Sequence, residues 1–507
     1  MGQGKADLFY RKGVKLMEYP FIKNNSMPFN KVVHNHFGRY ILTTSADKID
    51  RTNVTEELSR ALVKHNLNVI AIDYLDEYYR GNQPVLYREK TVRPEINNKI
   101  VENHAFETVE SKVADLFGEP VIYALKGDNN ASKGDKIDNL NRMMDDNDKA
   151  AKDVKRARWA SICGTSYYQV MNRNRMPDSG EYAPYTLFVP DPKKAFVCYY
   201  DDDMTPAFGA RQFKDADGKE YWRVYTHTWW YKIVNDEVVD EGKNGFGFIP
   251  IVEYPNDDRR LSDIELTILI TDALNNLSSD RMNGIDQFVN ALMKFKNCEI
   301  NKDTFLEMCQ LGAVAVKTTT QGYDADVDIM TAELDQSHAQ TAKDDLYQNM
   351  LTIQGRPGRQ ENSGGDTGQA VVLRNGYYDE EKRAELRIPT FKQSERMMLR
   401  VVLNVLRIQT DGSFDLPLTD IEIKPKRNKL ENMMVKAQVL QILHQIGIDD
   451  AEAIKTVNMF PDPTEVYTKS ADRMEKQFEH SIGEGEDNAE TVTIDGNGNE
   501  SGNVVAV

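Results

Sequence analysis

Cysteine is scarce in this sequence: four in 507 residues, Cys163, Cys198, Cys298 and Cys309. None stands in a C-x-x-C pair, so neither a disulfide framework nor a zinc site is indicated, and free thiols in a reducing cytosol are expected. Histidine is nearly as rare. The eight are scattered, and only His34 and His36 lie close, at a spacing that suits strand alternation. A G-x-S-x-G elbow, an H-E-x-x-H pair and the kinase set are all missing. No catalytic residue, no cofactor and no metal ligand is therefore expected, and the chain does not read as an enzyme.

Long apolar runs are missing too. The most apolar helical stretch, 264–277, is interrupted by Glu265 and Asp272, so nothing reaches the roughly 18 residues of a membrane-spanning helix. The opening residues, MGQGKADLFYRKG, hold no apolar signal core and lack the Ser or Thr of a myristoylation pattern. Basic charge is in deficit, 63 Lys and Arg against 80 Asp and Glu, for a formal −17. Such a chain is not expected to hold nucleic acid tightly through its overall field; contact with DNA or RNA would be local or weak.

What is present is length enough for more than one core and a clear change of period along the chain. Residues 1–40 are locally basic, with seven cationic and two anionic side chains, and read as a solvated arm. Apolar spacing predicts a helix over 53–66, a second short one ending at Gly81, and a third over 97–118. Gly118 fits the left-handed closing position of that third helix. His104 lies beside its apolar stripe and reads as a structural histidine. A strand is expected at 121–127 and a helix over 136–162. From 164 to 250 the period falls to about two, the mark of strands. Asp201, Asp202 and Asp203 read as a hairpin turn, because the spacing of a calcium loop is absent.

The organising stretch is 245–292. An apolar run, GFGFIPIVEYP, reads as a buried strand. Ser262 and Glu265 then form an S-x-x-E capping box at the head of a helix of about 25–28 residues, long for a globular domain. Asp263, Glu265, Asp272, Asp280 and Asp286 fall between its apolar positions and cannot all share one face. A small unit of about three strands and one helix is expected over 291–335, then a helix over 338–354. Residues 355–369, GRPGRQENSGGDTGQ, contain five glycines and no apolar side chain, which predicts a flexible loop. A nucleotide-binding P-loop is excluded there by the missing G-K-[ST]. A long charged helix follows over 369–409, with a kink expected at Pro389. Beyond it come a short strand near 411–424, an amphipathic helix closed by Gly447, another starting near Asp449, and an acidic tail read as disordered.

Several stretches resemble a tailed-bacteriophage portal protein, of the family found in long-tailed phages of Gram-positive hosts. They are 97–123, the VPDPKKAFVCYYDDD segment, GFGFIPIVEYPND with the following LSDIELTILITDALNNLSSDRMNGIDQF, and SGGDTGQAVVLRNGYYDEEKRAELR. The likeness runs from about 75 to about 410. It implies an α+β, ring-forming subunit. Residues 1–260 would be a wing, made of the N-terminal arm and a mixed α/β region. Residues 261–290 and 338–354 would be two stem helices around a clip at 291–337. A tunnel loop would occupy 355–368, a long kinked helix 369–410, a helical crown 411–475 and the acidic tail 476–507.

The same likeness implies roles and partners. Gly355, Arg356, Arg359, Gln360, Asn362 and Ser363 would line a DNA tunnel. Lys294, Lys296, Asp303 and Lys317 would form a docking surface on the clip. The expected partners are further copies of the chain in a ring of about twelve, double-stranded DNA held transiently and without sequence preference, the terminase large subunit, a head–tail adaptor, and the major capsid and scaffolding proteins; a membrane is not among them. The expected location is one capsid vertex of a virion, after synthesis in the host cytoplasm. Few basic residues near a lumen suit DNA that must slide, since each phosphate pair adds affinity and friction. Two other readings fit less well. Another capsid or tail structural protein would show a filament or shell in place of a ring, and a DNA-packaging enzyme component would need a nucleotide or metal site.

Overall fold

The computed structural model describes residues 38–91, 93–126, 131–173, 183–289, 292–296, 301–311, 326–330, 336–356, 377–425, 433–457, 459, 466–467 and 469–470. The chain divides into two compact units, Met1–Asn428 and Lys429–Val507. The architecture is α+β, with helices and antiparallel-rich sheets interleaved.

The first unit opens with β1 (Leu42–Thr44) and α1 (Val54–Tyr79). One helix of 26 residues stands where two were expected. No Gly or Pro interrupts 66–71, and Asn68 does not divert its own helix. Its side chain accepts from Tyr40 N (2.8 Å) and donates to Tyr40 O (2.9 Å), serving as a strand partner for another segment. Helix α2 (His104–Phe117) starts later than the periodicity predicts. Asn103 caps it by accepting from Phe106 N, and residues 97–103 stay outside any helix. Gly118 closes it with φ −66°, so the expected left-handed closure is corrected to a right-handed one.

After β2 (Ile122–Leu125), the single helix expected over 136–162 is two, α3 (Ala131–Asp146) and α4 (Lys149–Cys163). The break falls at Asp148, which adopts φ +49°. Asn147 holds the corner, donating to Met143 O and accepting from Leu187 N (2.9 Å each). Cys163 and Cys198 are buried free thiols.

The β-rich stretch folds as β3 (Thr165–Asn172), β4 (Tyr185–Phe188), β5 (Ala195–Tyr200), β6 (Pro206–Lys214), β7 (Glu220–Tyr225), β8 (Trp229–Val234), β9 (Glu237–Lys243) and β10 (Ile251–Pro255). Between β7 and β8 the chain turns at Thr226–Thr228, where the Thr226 hydroxyl accepts from Trp229 N (3.0 Å). A six-stranded sheet runs β1-β5-β6-β7-β8-β9, with β1 parallel to β5 and the other pairs antiparallel. A second sheet runs β10-β3-β4. Asp201–Asp203 form the β5–β6 turn, where Asp203 accepts from Thr205 N (2.8 Å) and Thr205 Oγ1 (2.7 Å).

The capping box at Ser262 forms. Ser262 N donates to Glu265 Oε2 (3.2 Å) and Ile264 N to Ser262 Oγ (3.2 Å). It opens a 3-10 turn, Glu265–Thr267, before α5 (Ile268–Val289), because Glu265 is also drawn to Gly38 N and the Arg39 guanidinium. Next come β11 (Leu292–Lys296), α6 (Lys302–Leu311) and β12 (Asp326–Met330), the strands pairing antiparallel. Helix α7 (Gln336–Gln354) packs on α5 through Leu274, Met350 and Leu351.

Helix α8 (Tyr377–Gln409) carries Pro389 without a break. Its Met398, Leu399, Val402 and Leu406 enter a core with α3, β3, β4 and β10. There the fully buried Glu395 accepts from Tyr254 Oη (2.8 Å), Tyr123 Oη and Lys149 Nζ (3.0 Å). β13 (Ile421–Lys424) pairs with β2.

The second unit holds α9 (Met433–Gln445) and α10 (Asp450–Val457), both expected. Gly447 closes α9 at φ +81°, with Ile448 N donating to Leu443 O. Asp449 caps α10 by accepting from Ala451 N (3.0 Å). The acidic tail lies outside the described residues.

Candidate functional site

The glycine-rich segment leaves α7 at Gly355 and re-enters the described residues at Tyr377, the start of α8. Gly355 adopts φ +67°, which favours glycine. A Cβ there would also sit 2.4 Å from Arg383 Cδ. Arg383 itself donates to Ile353 O (2.9 Å), so a cation from α8 caps the carbonyl end of α7. Arg356 folds back on α2, donating Nη1 to Glu107 O (3.1 Å) and Nη2 to Ser111 Oγ (2.6 Å). Sequence alone made Arg356 a loop cation; in the fold it is fastened to a helix.

Next to this root lies a buried carboxylate. Asp263 accepts from Arg387 Nη2 (2.6 Å), Lys112 Nζ (3.1 Å), Ser161 Oγ (2.6 Å) and Asn256 Nδ2 (3.2 Å). These partners come from α8, α2, α4 and the β10–α5 turn, so one side chain joins four parts of the fold. Burial alone would raise its pKa, but the Arg387 and Lys112 charges overrule burial and hold the carboxyl well below the usual carboxylate range. Burial in turn lowers Lys112, against the pull of Asp263. A cavity of about 200 Å³ adjoins the cluster, lined among others by Lys112, Gln354, Gly355, Arg383 and Arg387.

The five acids of the 261–290 stretch are all engaged within the chain. Besides Asp263 and Glu265, Asp272 accepts from Tyr78 Oη (2.9 Å), and burial pushes its carboxyl up to about 6. Asp280 pairs with Arg88 and Asp286 accepts from Asn98. Between them runs a polar stripe at i, i+4 and i+8. Asn275, Ser279 and Asn283 accept the backbone N–H groups of Glu102 (2.8 Å), Ile100 (3.0 Å) and Asn98 (2.7 Å). Alternate amides of residues 98–102 thus pair with helix side chains in the way a strand would pair with a neighbour.

His104 is structural, as expected, and charged. Its ring lies between Glu107 (3.0 Å) and Glu102 (3.2 Å). Burial opposes protonation, yet the two carboxylates push its pKa up to about 9. Glu102, lowered to about 2 chiefly by its hydrogen bond to His104, also accepts from Lys343 of α7 and Ser278 of α5. Among the described residues no group of three or more His, Cys, Asp or Glu could hold a metal ion, and no helix is long and apolar enough to cross a membrane.

Of the expected tunnel residues, Gly355 and Arg356 sit at this root; Arg359, Gln360, Asn362 and Ser363 lie outside the described residues. Of the expected docking residues, Lys294 stands opposite Asp328 and Lys296 opposite Asp326 in the β11–β12 register. Lys296 and Asp303 are exposed, and Lys317 lies outside the described residues. Sequence reasoning missed Arg387 and Lys112 as partners of Asp263, for no local pattern joins residues 124 and 151 positions apart. The Asn275, Ser279, Asn283 stripe is marked in the sequence by polar residues at helical spacing.

The family described as phage portal protein, SPP1 Gp6-like, matches residues 59–483. No curated protein matches the chain. Solved structures similar to it include one titled as the virion of a native gene transfer agent particle, at 14% identity over 77% of this chain and 94% of that one, TM-score 0.43. Another is the neck of an empty gene transfer agent particle computed with C6 symmetry, at 12% identity over 71% and 90%, TM-score 0.41. A third is the native neck computed with C12 symmetry, at 13% identity over 71% and 90%, TM-score 0.39.

Proposed function

Because the chain belongs to the SPP1 Gp6-like family of phage portal proteins, we propose that it is the repeating subunit of a ring at one capsid vertex that conducts double-stranded DNA inward during packaging and outward during ejection. The family match over residues 59–483 is the observation that carries this reading. In it α5 and α7 are the stem, residues 291–337 the clip, the mixed region before 261 the wing, and residues 411–475 the crown. Copies repeat one heterologous contact around a closed ring of about twelve. The role is structural, and the ring needs no active site of its own.

We assign a division of labour to the tunnel loop. Arg356 and Gly355 serve as its anchor, held by α2 and α8, while Arg359, Gln360, Asn362 and Ser363 make the weak polar contacts with passing DNA. Lys294, Lys296, Asp303 and Lys317 of the clip dock the terminase large subunit and then the head–tail adaptor, and the wing meets major capsid and scaffolding proteins. Synthesis takes place in the host cytoplasm. Negative-stain images of the purified full chain test the reading. Rings of about twelve subunits with a central hole are expected; a protein that stays monomeric under assembly conditions rejects it. Within such rings, Arg359→Ala is expected to alter packaging while leaving assembly intact.

A further inference from the structure

One face of the six-stranded sheet carries a row of like charge. α1 covers the face bearing Phe208, Val224 and Ile233. On the opposite face the register sets Arg211 of β6 against Arg223 of β7, and Arg223 against Lys232 of β8. Like charges directly opposite one another destabilise a sheet. Here three stand in line, spaced by the roughly 4.8 Å between strands, in a chain whose formal charge is −17. Among the described residues none of the three is in an ion pair with a carboxylate; Asp240 of β9 stands opposite Lys232 in the register, and Glu220, on the other face, pairs with Lys214 (3.4 Å).

The cations are held rather than loose. Arg211 lies over Phe188 (4.1 Å) and Phe213 (4.5 Å), and Arg223 over Phe213 (5.4 Å) and Trp230 (5.1 Å). Lys232 lies over Tyr221 (4.5 Å), and Phe213 stacks on Tyr221. Trp230 rests against Gly242, where a Cβ would come within 2.7 Å of the indole nitrogen. Arg211 is further steered by donating to Gln169 Oε1 (2.5 Å). All three cations are half-buried, so part of each meets solvent.

We propose that this face binds an acidic polypeptide segment of a partner protein, with Arg211, Arg223 and Lys232 receiving two or more of its carboxylates. Stacked guanidinium groups are already oriented, so little side-chain entropy is lost when their N–H forks meet carboxylates. Nucleic acid fits less well. Single strands bind by stacking bases on open rings, and here Phe213 is covered by Arg211, Arg223 and Tyr221, while Trp230 is enclosed by Gly242 and Arg223. The net negative charge of the chain also opposes a long polyanion more than a short acidic segment. The proposal does not rest on the proposed ring.

The test uses the full chain and a fluorescent polyglutamate peptide at about 0.15 M salt. The wild-type protein is expected to bind it, and Arg223→Gln with Lys232→Gln to weaken binding by roughly tenfold or more. Lys219→Gln with Lys243→Gln, an equal change of charge on exposed strand ends, leaves binding unchanged. Should the first pair fail to fold by circular dichroism, Arg223→Lys keeps the charge and removes the fork, with a loss of about threefold expected. No binding by wild type, or equal loss in both pairs, overturns the proposal. So does tighter binding of a thymidine oligonucleotide through the same residues, which makes the face a nucleic-acid surface. Loss of the ring on substitution also overturns it, by making the face a contact between copies.

Discussion

The six-stranded sheet and the α5–α7 helix pair are held together by different forces. The sheet region buries a continuous apolar cluster from Leu42 on β1 to Ile233 on β8, with α1 laid across it. Among the described residues, the buried apolar cluster shared by the helix pair is Leu274, Met350 and Leu351. It leaves Leu266, Leu269, Met282 and Ile285 of the same stretch 40–51% exposed. In place of a core, α5 relies on directional bonds: three side chains hold residues 98–102, and Gln354 ties Thr108 to Thr267 (2.8 Å each). Burial is non-directional and stabilises the sheet without outside help. Hydrogen bonds give a net of about 1 kcal/mol each and set geometry more than stability. The sheet region is therefore complete as one copy, whereas the helix pair presents apolar surface that a further surface would cover, as the proposed ring requires.

The largest expected effect lies at the junction between these regions. Asp263→Ala leaves Arg387 and Lys112 buried without their carboxylate and is expected to cost about 3–5 kcal/mol of stability, read as a lower denaturation midpoint. A loss below about 1 kcal/mol would mean that water reaches the two cations and that the junction is no fixed footing.

The comparison also has opposite signs in pH. His65, in the sheet region, is 3% exposed against Phe196, and burial lowers it to about 4. Its folded pKa is depressed, so its stability is present above about 6.5 and is lost as pH falls toward 4. His104, at the helix pair, is raised to about 9. Its stability is present below about 6.5 and is lost as pH rises through 9. Asp272, raised to about 6, acts in the same direction between about 4 and 6. Thermal melts across pH are expected to show the alkaline loss flattened in His104→Gln and the acid loss unchanged. If His104→Gln leaves the alkaline limb as it was, His104 is not ionised between Glu102 and Glu107.

The smallest effect sharpens the contrast. Ser279→Ala orphans the amide of Ile100 and is expected to cost about 1 kcal/mol. Hydrogen exchange at residues 98–102 should quicken, while that of the sheet stays the same. Faster exchange in both would erase the distinction.

Elements were legible wherever burial follows a period. Alternation revealed β3 to β6, and the Ser262–Glu265 box marked the head of α5. Connections were less so. The break at Asn147–Asp148 depends on Leu187 N, and the unbroken α1 on Asn68 turning to Tyr40; both partners are distant in sequence. At the candidate site, Gly355 was legible through its glycine-rich setting. Lys112, Arg387 and the docked state of Arg356 were not, because an ion pair leaves no mark on either local segment.

By itself, then, the sequence determined the elements, the acidic balance and the glycine-rich segment between two helices, since these follow from local periods and composition. Only the tertiary structure decided which charges meet. Asp263 lies 124 residues from Arg387 and 151 from Lys112. Coulomb energy depends on separation in space and on the low dielectric of a buried site, and neither is encoded in the residues flanking a charge.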